Sequence, residues 1–195
     1  MAPTGVSFHY ARLVPASRTT AIDAAFWDGL RAAAADGVDS LRHVPLDAVL
    51  LGCTSAGFTV GSSPVPAGVV TAFDALLAEL ARLKVQRIVL ATPYPDHVTD
   101  IEAEALRAHG ITVVHTASLG LTDGYPYIEP DRAAALVHAM PAYALHQADA
   151  VVLSCTGWRT LPALTALADY FDRPVLSSNS AMAAYATHLT PGATP

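Results

Sequence analysis

The sequence predicts an α/β fold built on parallel sheets, and three observations lead to that class. Short apolar runs alternate along the chain with longer segments in which apolar residues have helical spacing. Some of the runs are continuous, as in strands that are covered on both faces of a sheet. Two of them end in the same Cys-Thr step, which hints at two similar halves. Strands and helices that alternate at this spacing form parallel sheets with right-handed crossovers.

The first half begins with one β-α unit. Residues 6–14 alternate well enough for a strand, and residues 21–35 have the Ala, Leu and aromatic spacing of a helix. The continuous apolar run 47–52 predicts a strand that ends at Cys53. Residues 61–68 are rich in Gly, Ser and Pro and predict a loop.

The alternation becomes regular in the rest of the chain. Helices are predicted at residues 70–83, 96–109 (or starting at Val98), 130–140, 161–170 and 180–188. The strands predicted between them are residues 87–91, 111–116, 150–154 and 174–177. This order is typical of consecutive β-α-β units, so we expect these strands to pair in parallel.

Composition indicates a globular protein and excludes several functional classes. The 195 residues with 52% hydrophobic content can fill a substantial core. The formal charge is -6 and Lys and Arg are scattered singly, so we expect no nucleic-acid partner. No apolar run has membrane-spanning length and the first residues lack signal-peptide features, which favours a cytoplasmic enzyme without a membrane partner.

The two cysteines are the strongest functional signal. Cys53 and Cys155 each follow a predicted strand and precede small residues that can open a helix. A thiol in that position faces backbone N-H groups and the positive end of a helix dipole, which lower its pKa. We interpret them as a catalytic pair. The alternatives are buried cysteines that fill space, or a disulfide, which a chain of this kind does not favour.

Other polar residues follow the same strand ends. Tyr94 lies between two prolines after the strand 87–91, in a turn that can hold its hydroxyl over the site. The alternative is a tyrosine packed by its ring. The residues that follow the thiols can present N-H and O-H donors to an anion; they are Thr54, Ser55, Thr156 and Gly157. Ser and Thr are also ordinary helix N-caps.

Neither a metal nor a nucleotide cofactor is indicated. The eight histidines show no metal-like cluster. His97, with Asp96 and Asp100 nearby, lies at a predicted helix start, where acidic residues stabilise the helix dipole. The chain has no Walker loop and no Gly-x-Gly-x-x-Gly pattern. We therefore expect chemistry without a cofactor.

Four segments together resemble the aspartate/glutamate racemase superfamily, in its branch of maleate cis-trans isomerase and arylmalonate decarboxylase. They are Ile88-Val-Leu-Ala-Thr-Pro-Tyr94, Ser118-Leu-Gly-Leu-Thr122, Val152-Leu-Ser-Cys-Thr-Gly-Trp-Arg-Thr160 and Pro174-Val-Leu-Ser-Ser-Asn179. The resemblance implies two Rossmann-like lobes with pseudo-symmetry and an active site in the cleft between them. It assigns residues 1–83 and 178–195 to a first, reduced lobe and residues 84–177 to the second.

The same resemblance implies roles for the site residues. Cys53 and Cys155 match the two thiols of the isomerases and racemases, whereas the decarboxylase keeps only the second. Both together favour isomerase or racemase chemistry. Our first hypothesis is a maleate-type isomerase, in which Cys53 adds to a carbon-carbon double bond and Cys155 is the partner acid. Tyr94 matches a tyrosine that contacts a substrate carboxylate, and Thr54 and Ser55 lie near an oxyanion-binding segment. The alternatives are a racemase, a decarboxylase that uses Cys155, and a non-catalytic accessory subunit.

The first lobe departs from the family pattern. Family members begin with a strand that ends in a Val-Pro-x-x-Asn type segment, whereas here residues 6–14 resemble their second strand. The stretch between Phe58 and Val70 is short for the usual helix and strand. A sheet that lacks a strand exposes unpaired N-H and C=O groups. We therefore expect a homo-oligomer in which a partner covers this region.

Overall fold

The computed structural model describes residues 5–16, 22–59 and 63–189, and over these ranges it contains two parallel sheets. The strands are β1 (Val49–Leu51), β2 (Val69–Thr71), β3 (Arg87–Thr92), β4 (Thr112–Ser118), β5 (Ala150–Leu153) and β6 (Val175–Ser177). β1 pairs with β2 in one sheet, and the other sheet has the order β4-β3-β5-β6. The predicted α/β class with parallel sheets is confirmed.

Helices fill the connections between the strands. They are α1 (Ala24–Ser40), α2 (Ser55–Phe58), α3 (Ala72–Arg82), α4 (Asp96–Ala108), α5 (Asp131–His138), α6 (Ala142–Gln147), α7 (Leu161–Phe171) and α8 (Ser178–Leu189), with a 3-10 turn at Tyr125–Tyr127. Within the described ranges, no helix is both long and apolar enough to span a membrane.

The core lies around the larger sheet. β3 has five consecutive buried residues and all four residues of β5 are buried, because helices cover both faces of these central strands. Their side chains join one apolar cluster with Leu76 of α3, Leu106 of α4 and Leu167 of α7. α8 follows β6 directly and packs against α3, so the last helix returns to the first half of the chain. The division into two lobes stays a prediction.

The strand expected at residues 6–14 is wrong, because the structure has no strand there. This segment is irregular and lies against α1, where Leu13 packs so closely on Gly37 that a Cβ there would lie 2.4 Å from Leu13 Cδ2. A strand needs the N-H and C=O groups of a neighbouring edge. Within the described ranges, residues 6–14 have no such neighbour, so their alternation alone does not produce a strand.

One further expectation differs from the structure, and one helix was not expected. The helix expected from residue 70 begins at Ala72, because Val69–Thr71 forms β2 and Thr71 then caps α3. The Thr71 hydroxyl accepts from the Asp74 amide, and the Asp74 carboxylate accepts from the Thr71 amide. The short helix α6 was not expected. Residues 61 and 62 of the predicted loop lie outside the described residues.

Candidate active site

A single cleft of about 1470 Å³ is lined by all the residues predicted for the site. They are Cys53, Thr54, Ser55, Tyr94, Cys155, Thr156 and Gly157. The topology explains this placement, since these residues follow the carboxyl ends of β1, β3 and β5. The remaining walls come mainly from residues 5–13, α1 and α8 and are largely apolar.

Cys53 lies in the turn between β1 and α2. Its amide donates to the Leu51 carbonyl at 2.8 Å, which bends the chain immediately after the strand. The thiol is half-buried, and the Ser55 hydroxyl lies 3.5 Å from Sγ. The backbone amides of Ser55 and Ala56 also hydrogen-bond to the sulfur. The first turn of α2 therefore surrounds this thiol with donors.

Cys155 has a similar donor set but a more closed environment. It is buried, and its sulfur accepts hydrogen bonds from the amides of Gly157 and Trp158 and from the Tyr94 hydroxyl. Its φ is 144°, a backbone conformation that costs free energy in a residue other than glycine. A Cβ on Gly157 would lie 3.6 Å from Sγ, so the glycine leaves this side of the thiol open.

Side chains join the two cysteine loops directly. The Thr54 hydroxyl donates to Ser178 Oγ at 2.9 Å, and the same Oγ accepts from the Cys155 amide at 3.1 Å. In the other direction the Thr156 hydroxyl donates to the Gly52 carbonyl at 2.9 Å. Both threonine hydroxyls donate within the protein in this structure, and their donation to an anion stays a prediction. The hydrogen bonds hold one loop against the other.

The pKa values of the two thiols differ from the expectation. Burial raises the pKa of Cys53, although Ser55, two backbone amides and the Arg31 guanidinium act in the opposite direction. Burial also raises the pKa of Cys155 to about 12. The predicted lowering of both pKa values is wrong. α2 has only four residues, so its dipole is small, and loss of hydration outweighs the hydrogen bonds.

Two tyrosines form the wall beside Cys155. Tyr94 is only 2% exposed, so its hydroxyl faces the Cys155 sulfur rather than open solvent. Burial, and then the negative charge that Cys155 would carry as a thiolate, raise the pKa of Tyr94 well above its ordinary value. Tyr125 packs edge-on against Tyr94 with ring centroids 5.6 Å apart, and its hydroxyl donates to the Leu121 carbonyl at 3.1 Å.

Three residues in or next to the site were not predicted from the sequence: Tyr125, Ser178 and Glu102. Tyr125 lies in a Gly-Tyr-Pro-Tyr turn, a rigid type of segment that could have been considered. Ser178 belongs to a run of serines that had no assigned role. Glu102 lies one helical turn from both Val98 and Leu106 on the buried face of α4. The helical period could therefore have placed it in the interior.

Within the part of the chain that the structure describes, no group of three or more His, Cys, Asp or Glu side chains is placed to hold a metal ion. The site also offers no glycine-rich phosphate loop near the thiols. The polar groups of the cleft lining include two thiols, the two tyrosines, hydroxyl groups and backbone amides, together with the side chains of His9, Asp47 and Asn179.

Comparisons with known proteins find similarity to arylmalonate decarboxylases and to maleate isomerases. A family model described as arylmalonate decarboxylase matches residues 60–191. The maleate isomerase of Geobacillus stearothermophilus is 32% identical over 119 residues, which are 60% of this chain and 45% of that protein. The match thus spans less than half the length of this curated relative.

Solved structures of a maleate isomerase and of an arylmalonate decarboxylase have the same fold as this chain. A cysteine-to-serine mutant of Nocardia farcinica maleate cis-trans isomerase, with a covalently bound succinylcysteine intermediate, superposes with a TM-score of 0.80 at 22% identity. The match covers 94% of this chain and 80% of that one. A liganded double mutant of arylmalonate decarboxylase gives 0.78 at 26% identity and covers 90% and 81%. The resemblance noted in the sequence is confirmed.

Proposed function

The chain belongs to the arylmalonate decarboxylase family, and from this premise we propose that it is a cofactor-independent isomerase that uses two cysteines on a small maleate-type dicarboxylate. One observation carries the proposal. Cys53 and Cys155 line the same cleft, and each faces the amides two and three residues further along the chain. Two thiols that reach one substrate can divide a double-bond rotation into an addition and an elimination.

Neutral donors bind the substrate carboxylates in this proposal. The lining that the structure describes contains no Lys or Arg. Carboxylate oxygens are instead assigned to the Ser55 and Tyr94 hydroxyls and to the backbone amides of the two loops, at Thr54, Ser55, Thr156 and Gly157. Amides at a helix start are suited to anions. The same donors stabilise the negative charge that develops on the substrate during the addition.

The reaction begins when Cys53, having lost its proton to solvent, forms an Sγ-carbon bond with one alkene carbon. The alkene electron pair moves to the adjacent carbon, which takes the proton of the Cys155 thiol. The central bond is now single and rotates. The Cys155 thiolate then removes that proton, the double bond re-forms, and the carbon-Sγ bond breaks. The trans product leaves, and both thiols return to their starting states.

The environments of the two thiols support this division of roles. Cys155, whose pKa burial raises to about 12, keeps its proton until a strongly basic carbanion forms. Cys53 is half-buried and so is more open to an entering substrate. Proton NMR of the chain with maleate tests the proposal, and we expect fumarate to accumulate. If maleate stays unchanged at high enzyme concentration, the isomerase proposal fails.

A decarboxylase is the second candidate, and the name of the matching family model favours it. Here Cys155 alone would protonate the enediolate that remains after an arylmalonate loses carbon dioxide. The Tyr94 hydroxyl beside Sγ would support the thiolate left behind. Carbon dioxide release from phenylmalonate that persists in Cys53→Ala would select this candidate over the isomerase.

We also propose that the protein is a cytoplasmic homo-oligomer. Both described cysteines are free thiols, which fits a reducing compartment. β1 pairs with β2 on one side, and within the described ranges no strand lies along its other edge. Such an edge beside an apolar cleft wall favours coverage by a second copy. Light scattering that finds a monomer at micromolar concentration would contradict this proposal.

A further inference from the structure

Glu102 is a fully buried carboxyl group behind the Cys155 loop, and the proposed reaction does not use it. Its exposed fraction is 0%. The Ser154 hydroxyl donates to Glu102 Oε1, whereas Oε2 has no hydrogen-bond partner among the described residues. None of the ion pairs found in those residues includes Glu102. Burying a carboxyl with so few partners costs free energy, so the position calls for an explanation.

Ser154 connects this carboxyl to the site. It is the last residue before Cys155, and its amide donates to the Ala91 carbonyl at 2.9 Å, extending the pairing of β5 with β3. Its side chain is bound to Glu102 from the other direction. The chain is thus held by two independent hydrogen bonds immediately before Cys155, whose φ of 144° is unfavourable. An unfavourable backbone conformation persists only where its surroundings restrain it.

The protonation state of Glu102 suits this location. Burial raises its pKa to about 8, so the carboxyl is largely neutral at pH 7. A neutral carboxyl accepts the Ser154 hydrogen bond without placing a full negative charge near Tyr94, whose pKa is sensitive to the charge on Glu102. The group therefore restrains the loop while leaving the Tyr94 to Cys155 hydrogen bond undisturbed.

We propose that Glu102 is a positioning residue: through Ser154 it restrains the Cys155 loop in the conformation that holds the thiol between the Tyr94 hydroxyl and the amides of Gly157 and Trp158. The inference rests on the proposed function only in that Cys155 acts on the substrate. It applies equally to an isomerase and to a decarboxylase, because both require this thiol.

Differential alkylation tests the proposal without any substrate. Native protein is treated with iodoacetamide, and mass spectrometry follows the labelling rates of Cys155 and Cys53 in the same molecule. In Glu102→Leu and in Ser154→Ala the loop loses one of its restraints and the buried Cys155 becomes more accessible. We expect the Cys155 to Cys53 rate ratio to rise by at least about fivefold, on the scale of one lost hydrogen bond. Glu102→Gln, which keeps an acceptor for Ser154, should restore a ratio near that of the wild type.

Two comparisons separate positioning from a general loss of stability. Thr99→Val removes another buried hydrogen bond on the same face of α4, between Thr99 and Thr92, and should leave the ratio unchanged. The double variant Glu102→Leu/Ser154→Ala should behave like either single variant, because both changes break one contact. Ser154→Ala deletes a single oxygen and keeps the test valid if Glu102→Leu does not fold.

The proposal is overturned if the ratio stays at the wild-type value in Ser154→Ala, if Gln behaves like Leu, or if the two single effects add. A protein that fails to convert maleate but shows the expected ratios would refute the proposed function and leave this inference standing. Conversion of maleate with unchanged ratios would do the reverse.

Discussion

The two cysteine loops share a local structure and differ in the strands around them. Cys53 follows β1 and Cys155 follows β5, and each sulfur faces the amides two and three residues later. β5 lies between β3 and β6, whereas β1 pairs only with β2 within the described ranges. The turn after β3 brings Tyr94 against Cys155, and among the described residues no tyrosine hydroxyl has a comparable place on the Cys53 sulfur.

This difference shows that a local motif does not by itself determine the chemistry of its thiol. The neighbouring strand closes the site around Cys155, which becomes the buried, weakly acidic thiol. The open side of β1 leaves Cys53 half-buried and accessible from the cleft. The comparison therefore predicts a nucleophile in one loop and a proton donor in the other.

Removing each thiol in turn should have the largest effect and tests whether Cys53 and Cys155 have different roles. We expect Cys53→Ala to abolish both turnover and any covalent adduct. Cys155→Ala should reduce turnover by about 10² to 10⁴-fold, the usual scale for a lost acid or base, with an adduct on Cys53 visible in the intact mass. Full activity in Cys53→Ala would assign the chemistry to Cys155 alone.

The pH dependence of alkylation tests whether the acidity of the Cys155 thiol differs from that of an ordinary thiol. A thiol reacts as the thiolate, so its labelling rate rises with pH until the pKa is passed. Because burial raises the pKa of Cys155 to about 12, its thiolate fraction at pH 8 is about 10³-fold below that of an ordinary thiol. We expect Cys155 labelling to rise up to about pH 12. A plateau below pH 9 would show that its thiolate is stabilised after all.

Glycines in the two loops should respond differently to alanine. A Cβ on Gly57 would lie 2.3 Å from Thr71 Oγ1 and 2.7 Å from Phe73 Cβ, where α2 packs on the start of α3. Gly57→Ala should therefore lower the free energy of unfolding by about 1–3 kcal/mol. In Gly157→Ala the nearest atom is 3.6 Å away, so urea unfolding should detect a clearly smaller change. Equal losses would mean that the Cys155 loop is packed as tightly as α2.

Removing the Tyr94 hydroxyl tests what the turn after β3 contributes to the Cys155 loop. Tyr94→Phe deletes the donor to Cys155 and keeps the ring, so substrate or transition-state binding should weaken by about 1–3 kcal/mol. Tyr125→Phe is the matched control, because that hydroxyl donates to the Leu121 carbonyl instead. Steady-state kinetics should separate the two variants. Similar losses in both would assign the effect to the aromatic wall.

Removing the hydrogen bond from Thr54 to Ser178, which links the two cysteine loops, should have the smallest effect. Thr54→Val removes the hydroxyl that donates to Ser178 and nearly conserves volume, so we expect a loss of about 1 kcal/mol in unfolding free energy. Thermal unfolding measures this change, and Thr187→Val, which removes a buried hydroxyl that donates to the Ala183 carbonyl within α8, is a suitable control. An unchanged melting temperature would show that the Thr54 hydroxyl does not stabilise the contact between the loops.

The sequence predicted the larger sheet well because its signals are local. The continuous apolar runs at residues 87–91 and 150–154 are buried on both faces, and the structure has β3 and β5 there within one residue at each end. The placement of each cysteine after a strand is equally local, since strand ends are set by the loss of the apolar run. Parallel pairing then follows from the helices between the strands.

Three features depended on contacts between distant parts of the chain. Residues 6–14 have strand-like alternation but no neighbouring edge among the described residues, and hydrogen-bond partners of a strand come from elsewhere in the sequence. The threonine hydroxyls found acceptors at Ser178 and Gly52, more than a hundred residues away. Glu102 of α4 accepts a hydrogen bond from Ser154, which follows β5 and lies 52 residues further along the chain.

The acidity of the thiols is the clearest case of the division between sequence and tertiary structure. The donors that stabilise a thiolate lie two and three residues along the chain, so the sequence by itself determined that Cys53 and Cys155 would face amides. Only the tertiary structure decided that burial would outweigh those donors and raise both pKa values. Desolvation depends on every element packed around the sulfur, and no short segment of sequence contains that information.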